Sequence, residues 1–282
     1  MLAAFRLLAR LPLSWLQAAG AGLGRLVWLL SGEFRDKTRQ NLRQAARFDP
    51  ALADPALAVR SAAQTGRMVG ELPWVWFSRP ETLRARVVCD DLSVLEEVEA
   101  AGRGILFLTP HLGAFEVTAR WYAGRAPITV LFKPPKRSVL SRVLAVARDT
   151  PGMRAAPASL AGLRTLLRAL RSGEAVGLLP DQVPTDGEGR WAPFFGAPAF
   201  TMTLPDKLVE LTGASVVLAV GERLPAGAGW RVHLRRMHER PTPELLNREM
   251  ERLVLALPDQ YLWGYNRYKG APPEPAAGVA AS

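Results

Sequence analysis

The sequence predicts an α/β fold, a largely parallel sheet flanked by helices, on two observations. Short apolar runs, "GILFLT" (104–109), "APITVLF" (126–132), "AVGLLP" (175–180) and "ASVVLAV" (214–220), read as strands buried on both faces. Stretches with helical spacing lie between them, and strands alternating with helices place helices on both sides of a parallel sheet.

The first thirty residues are apolar and interrupted only by Arg6, Arg10 and Arg25. The longest uncharged stretch, Leu11 to Gly24, falls short of the ~18–20 residues that cross a bilayer as a helix. A signal peptide ending near Ala19-Gly20-Ala21, a marginal span and a buried core helix are the alternatives. Arg6 and Arg10 near one end, with Trp15 and Trp28 as interfacial anchors, favour a membrane-associated helix over residues 1–32. One domain is expected over 33–270. It opens with helices from 33 to 86, including the basic amphipathic "EFRDKTRQNLRQAARF". Further helices are expected at "GAFEVTARWYAG", "RSVLSRVLAVARD", "SLAGLRTLLRALRSG" and "TMTLPDKLVELTG", the last two closing on a glycine suited to a C-cap. "WRVHLRRMH" alternates and adds a strand. Residues 271–282 read as a disordered tail.

Composition narrows the function classes. The chain has 282 residues, 49% of them hydrophobic, which is too apolar for disorder. Its single cysteine, Cys89, excludes an internal disulfide framework. The net charge of +10 calls for an anionic partner, whether nucleic acid, an acidic protein or a phospholipid surface. No G-x-S-x-G, G-x-x-x-x-G-K or post-strand G-x-G-x-x-G occurs. His233 and His238 have no cysteine or carboxylate cluster beside them in sequence, so no metal site is expected.

Sites in open α/β folds form beyond the carboxyl ends of the strands. His111, one of three histidines, follows "GILFLTP", and Glu116 falls in the first turns of the next helix. From the loop before that helix the imidazole lies within reach of the Glu116 carboxylate. Such a carboxylate fixes the tautomer and stabilises the imidazolium, which makes a general base. The alternative is a surface or capping histidine. After the second strand run come Lys133, Lys136 and Arg137, continued by Arg142 and Arg148, a candidate anion-binding rim or simply solvated charge. After the third comes Asp181, then a long loop whose Trp191, Phe194, Phe195 and Phe200 either plug the core edge or line an apolar groove.

"TPHLGAFE", "FKPPK", "GLLPDQVP", "FFGAPAFTMTLP" and "LPDQYLWGYNRYK", in this order, resemble the lauroyl/myristoyl late acyltransferases of lipid A biosynthesis, within the glycerolipid acyltransferase group that shares H-x4-D/E. The resemblance runs to about residue 269. It implies a glycerolipid acyltransferase-like fold and an enzyme on the cytoplasmic face of the inner membrane. That enzyme takes a fatty acyl chain from acyl carrier protein and esterifies a hydroxyl of a lipid A precursor, without metal or nucleotide. By residue it implies His111 and Glu116 as the catalytic dyad, with Asp181 and Arg148 beside them. Lys133, Lys136, Arg137, Gln182, Phe194 and Phe195 are the expected substrate contacts. The family commonly has Tyr-Arg-Pro where this chain has Phe132-Lys133-Pro134; lysine keeps the charge and loses the bidentate fork. A lysophospholipid or another glycolipid is the alternative acceptor. A non-catalytic membrane-surface or nucleic-acid-binding protein is the rival class, and nucleic acid is not an expected partner.

Overall fold

A computed structural model describes residues 2–132, 143 and 150–270. Lys133, Lys136, Arg137, Arg142, Arg148 and the 271–282 tail lie outside the described residues.

The N-terminal third is helical. It comprises α1 (Leu2–Leu8), α2 (Leu13–Leu30), α3 (Gly32–Phe48), α4 (Pro55–Phe77) and α5 (Pro80–Arg84). Two local signals place the starts of α3 and α4. The Ser31 hydroxyl accepts from the Phe34 N–H, and Asp54 accepts from the Ala56 N–H ahead of Pro55. The α/β part then runs β1 (Val87–Val88), α6 (Leu92–Ala100), β2 (Ile105–Leu108), α7 (Phe115–Ala123), β3 (Ile128–Phe132) and β4 (Met153–Pro157). It continues with α8 (Leu160–Arg171), β5 (Ala175–Leu178), β6 (Gly189–Phe194), β7 (Ala197–Met202) and α9 (Leu204–Thr212). It ends with β8 (Ser215–Arg223), β9 (Trp230–Met237) and α10 (Pro243–Ala256).

Among the described residues, seven strands form one sheet in the order β1-β9-β8-β2-β5-β3-β4. Every pairing is parallel except β8 with β9. The central strands are buried on both sides. Leu106 and Leu108 of β2, with Val216, Leu218 and Val220 of β8, join the cluster that takes in Leu166 of α8 and Leu246 of α10. Ile105 and Phe107, with Val217 and Ala219, face the opposite cluster, with Leu95 of α6 and Tyr122 of α7. This is the expected α/β architecture.

Part of the long post-β5 loop is instead a β-hairpin, β6 with β7, outside the main sheet. Its turn is Phe195-Gly196, both with positive φ (45° and 72°). That is the backbone of a type I′ connection, which sequence reading recognises by Asn-Gly or Asp-Gly. Phe195 holds this sparsely populated conformation because its ring is wholly buried between Phe48 and Trp263.

No helix among the described residues is long and apolar enough to cross a membrane. Helix α2 instead presents two faces. Leu13, Leu16, Gly20, Gly24 and Trp28 are buried, whereas Trp15, Leu23, Leu26 and Leu30 project from the other side, Trp15 at 67% and Leu30 at 76% exposure. The buried face meets α4 backbone to backbone through Gly20, Gly24, Gly66 and Gly70. A Cβ on Gly66 would sit 2.0 Å from the Gly20 carbonyl oxygen, and one on Gly20 would sit 2.3 Å from that of Gly66. Gly66→Leu is therefore expected to force the helices apart and destabilise the protein by about 1–3 kcal/mol or more. Gly22→Ala meets nothing within 4 Å and is expected to be neutral or to stabilise by up to about 1 kcal/mol. Thermal melts of the two variants check the crossing.

Candidate active site

In the parallel pairing of β2 with β5, Leu108 lies beside Leu178. His111 and Asp181 each follow three residues later, so the two loops leave the sheet side by side and at the same level. The Asp181 carboxylate takes two polar groups of His111. One oxygen accepts the backbone N–H at 2.9 Å and the other lies 2.8 Å from ring Nδ1. Asp181 is almost wholly buried, while the His111 side chain is 16% exposed. Burial pushes the Asp181 carboxyl up, but the charge of His111 and its hydrogen bonds outweigh that and hold it below the usual carboxylate range.

An ionised carboxylate only accepts, so Nδ1 donates, and in the neutral ring Nε2 then keeps its lone pair. The Gln182 side-chain amide lies 3.1 Å from Nε2 and donates to it. The imidazole is thereby oriented from one side and capped on the other, in the tautomer a general base needs. The Phe115 ring meets it edge-on at 4.8 Å.

The carboxylate at the imidazole is thus Asp181, in the position that sequence reading gives to Glu116. Glu116 sits in the first turn of α7, where its carboxylate accepts from Trp76 Nε1 at 3.2 Å and interacts with Arg120. The physical reason lies in the loop between them. Gly113 turns at φ +62° and packs its α-carbon against β8, where a Cβ would stand 2.1 Å from the Gly221 carbonyl oxygen. The helix carrying Glu116 therefore starts beyond this turn, whereas strand register delivers Asp181 directly. Backbone bonds anchor the loop throughout. Ala114 N–H donates to Gly221, Gly113 N–H to the Gln260 carbonyl, and Leu262 N–H to the His111 carbonyl. Among the described residues no cluster of three or more His, Cys, Asp or Glu could hold a metal.

A family model for bacterial lipid A biosynthesis acyltransferases matches residues 1–270. The chain belongs to that family. It is similar to the lipid A biosynthesis lauroyltransferase of Escherichia coli K12, 23% identical over 276 residues that cover 94% of this chain and 89% of the relative. It is also similar to the palmitoleoyltransferase of the same organism, 26% identical over 216 residues, covering 73% and 69%. A lipid A biosynthesis acyltransferase of Haemophilus influenzae is 26% identical over 180 residues, covering 61% and 56%.

In this lipid A acyltransferase family member the remaining expected residues divide. Gln182 stands on His111 Nε2. Phe194 and Phe195, at 2% and 0% exposure, are core: the hairpin turn tucks them under Tyr261, Trp263 and Tyr268, so neither ring is open to a substrate chain. The C-terminal segment, recognised as a motif but given no role from sequence, closes the site. Tyr265 hydroxyl accepts from the Val183 N–H at 3.0 Å, next to Gln182. Asn41 of α3 donates to the carbonyls of Trp263 and Tyr265, both at 2.6 Å. The buried pair Glu71 and Arg223 also escaped sequence reading. Its signal was charge at the edge of an apolar run, Glu71 before "LPWVWF" and Arg223 after "VVLAVGE".

Asp181→Asn tests the electrostatics. A carboxyl whose folded value is depressed contributes stability that is present above its unfolded value and lost as pH falls through the folded one. The substitution is expected to cost about 1–3 kcal/mol near neutrality and to remove part of the acid-side loss of stability below about pH 4. Chemical denaturation across pH measures both.

Proposed function

We propose that the protein transfers a fatty acyl group from an acyl carrier protein thioester to a hydroxyl of a lipid A precursor, with His111 as general base. The observation that carries this reading is the imidazole itself, held at Nδ1 by buried Asp181 and met at Nε2 by a side-chain amide that a substrate hydroxyl can replace. The acceptor hydroxyl takes the place of Gln182 on Nε2 and gives up its proton there as its oxygen attacks the thioester carbonyl. The tetrahedral intermediate collapses with cleavage of the C–S bond, and the imidazolium returns the proton to the leaving thiolate. Backbone amides or a basic group, with Arg148 the candidate from the family motif, stabilise the oxyanion. Glu116 keeps the supporting role that the H-x4-E motif implies, a negative charge one turn into α7 that favours the imidazolium. No covalent acyl-enzyme is required. Lys133, Lys136 and Arg137 serve as the rim for the anionic acceptor and the acidic carrier. Similarity to the lauroyltransferase and palmitoleoyltransferase of lipid A biosynthesis in E. coli supports lipid A as the acceptor class.

His111→Ala is expected to lower kcat/KM by about 10²–10⁴-fold, and Glu116→Gln by less. Purified protein assayed with acyl carrier protein thioesters reads this directly, and near-normal turnover in His111→Ala would remove the mechanism. Mass spectrometry of lipid A from a strain lacking the protein tests the acceptor. An unchanged acylation pattern would point to a lysophospholipid or another glycolipid.

The N-terminal region is the proposed seat on the membrane, at the cytoplasmic face of the inner membrane. Trp15, Leu23, Leu26, Leu29 and Leu30 form an exposed apolar surface on α2. Beside its end, Arg35 donates to the Leu29 carbonyl and the Arg39 guanidinium lies 5.3 Å from the Trp28 ring centre. Arg35, Arg39, Arg43 and Arg47 repeat every four residues along α3. Like charges at this spacing are unfavourable on an isolated helix, and anionic headgroups neutralise them. Leu26→Asp with Leu30→Asp is expected to reduce flotation with anionic vesicles at least tenfold, since each leucine contributes about 1.5–3 kcal/mol of burial. Unchanged flotation would place the membrane contact elsewhere.

A further inference from the structure

Arg223 at the end of β8 and Glu71 of α4 form an ion pair in which both side chains are 2% exposed. The guanidinium grips the carboxylate twice, Nε to Oε2 at 2.8 Å and Nη2 to Oε1 at 2.6 Å. Gln17 of α2 and Trp230 of β9 donate to the same carboxylate, and Gln64 accepts from Arg223 Nη1. What remains of the fork is aimed at the loop that carries His111: Nη2 also donates to the Gly113 carbonyl at 3.2 Å. Gln260 closes the ring. Its side chain accepts from the Arg223 N–H at 2.9 Å and donates to the Arg223 carbonyl at 3.1 Å, while its own carbonyl takes the Gly113 N–H. Both backbone polar groups of Gly113, two residues after the base, thus end on one unit.

We propose that Glu71 and Arg223 are positioning residues for the base, an inference that rests on reading His111 as the general base. Glu71 holds the Arg223 fork rigid, and Arg223 fixes the Gly113 carbonyl, which sets the path of the loop and the approach of the imidazole to Asp181. Stability alone is a poor account of the pair, because well-packed apolar residues usually replace a buried ion pair without loss. Geometry is a good one. Only a planar guanidinium engages two carboxylate oxygens and a third acceptor in fixed directions, and lysine offers one mobile point charge instead. A displacement of the base of order 1 Å is worth up to ~10²-fold in rate.

The test uses the full-length protein and three readouts: transfer kinetics, the melting temperature, and the low-field proton resonance of the His111 Nδ1–H bonded to Asp181. Arg223→Lys is expected to lower kcat by about 10–100-fold with KM little changed, and to shift or broaden that resonance. The double variant Glu71→Met with Arg223→Met removes both buried charges but strands the Gln17 and Trp230 donors, so it is expected to melt near or somewhat below the parent temperature while kcat stays low. Recovery of kcat together with the melting temperature would show a brace without a positioning role and overturn the proposal. So would an Arg223→Lys protein with parental kcat and resonance, which decides by itself where the double variant fails to fold. Normal turnover in His111→Ala removes the reading of the base instead, and the resonance still reports whether Arg223 sets the imidazole.

Discussion

The parallel pairing of β2 with β5 is the constraint on which the contact of His111 with Asp181 depends. With Leu108 beside Leu178, His111 and Asp181 emerge at equal distances beyond the sheet. A slip of one residue would move one partner by about 3.3 Å along the strand and turn its side chain to the other face. Register is held because both strands are buried on both sides, so any slip would put apolar side chains out of their packing. The hydrogen-bonding of His111 with Asp181 is therefore secured by two strands whose own side chains are all apolar.

Around this pair the protein keeps several charges away from water, and each is partnered differently. Asp181 is balanced by the histidine it orients. Arg223 is balanced by a carboxylate. Arg267 is 2% exposed and donates to the Phe200 carbonyl, Thr201 Oγ1 and Asn247 Oδ1, all uncharged acceptors, with the Phe194 ring 5.3 Å from its guanidinium. Burial pulls the Arg267 pKa down, partly countered by Tyr261 and Asp181. It ties the β6–β7 hairpin to the C-terminal segment, whose Tyr265 touches the backbone next to Gln182. Loops that would otherwise be independent are thus cross-braced by polar contacts in a dry setting, where a hydrogen bond is strong and a missing one is costly.

What the sequence made legible follows from where the signal is local. The apolar runs at 104–109, 126–132, 175–180 and 214–220 become β2, β3, β5 and β8, because a strand buried on both faces announces itself without reference to its neighbours. His111 and Asp181 are visible for the same reason, as polar residues just past such runs. Their contact is not visible, since nothing in the chain says that β5, rather than β3, lies against β2. Glu116 is nearer in sequence and takes the partner's place by default. The β6–β7 hairpin is hidden because its turn places Phe195 where a sequence rule expects Asn or Asp, and tertiary packing overrides that preference. Strand β4, "MRAAP", has neither a long apolar run nor alternation. The structural charges Glu71 and Arg223 carry a signal, a charge at the edge of an apolar run, whose meaning depends on a partner 152 residues away.

The glycine crossing of α2 on α4 has a consequence for where this protein can work. A contact made by backbone touching backbone owes its cohesion to dispersion and close fit, not to the release of water from large side chains. Such a joint holds about equally well in water and in hydrocarbon. The two helices can therefore change surroundings along one side without changing their grip on each other. An enzyme meeting its acceptor at a lipid boundary in the way proposed would keep its geometry through that transfer, because the helix carrying the apolar face is fastened by a contact indifferent to solvent.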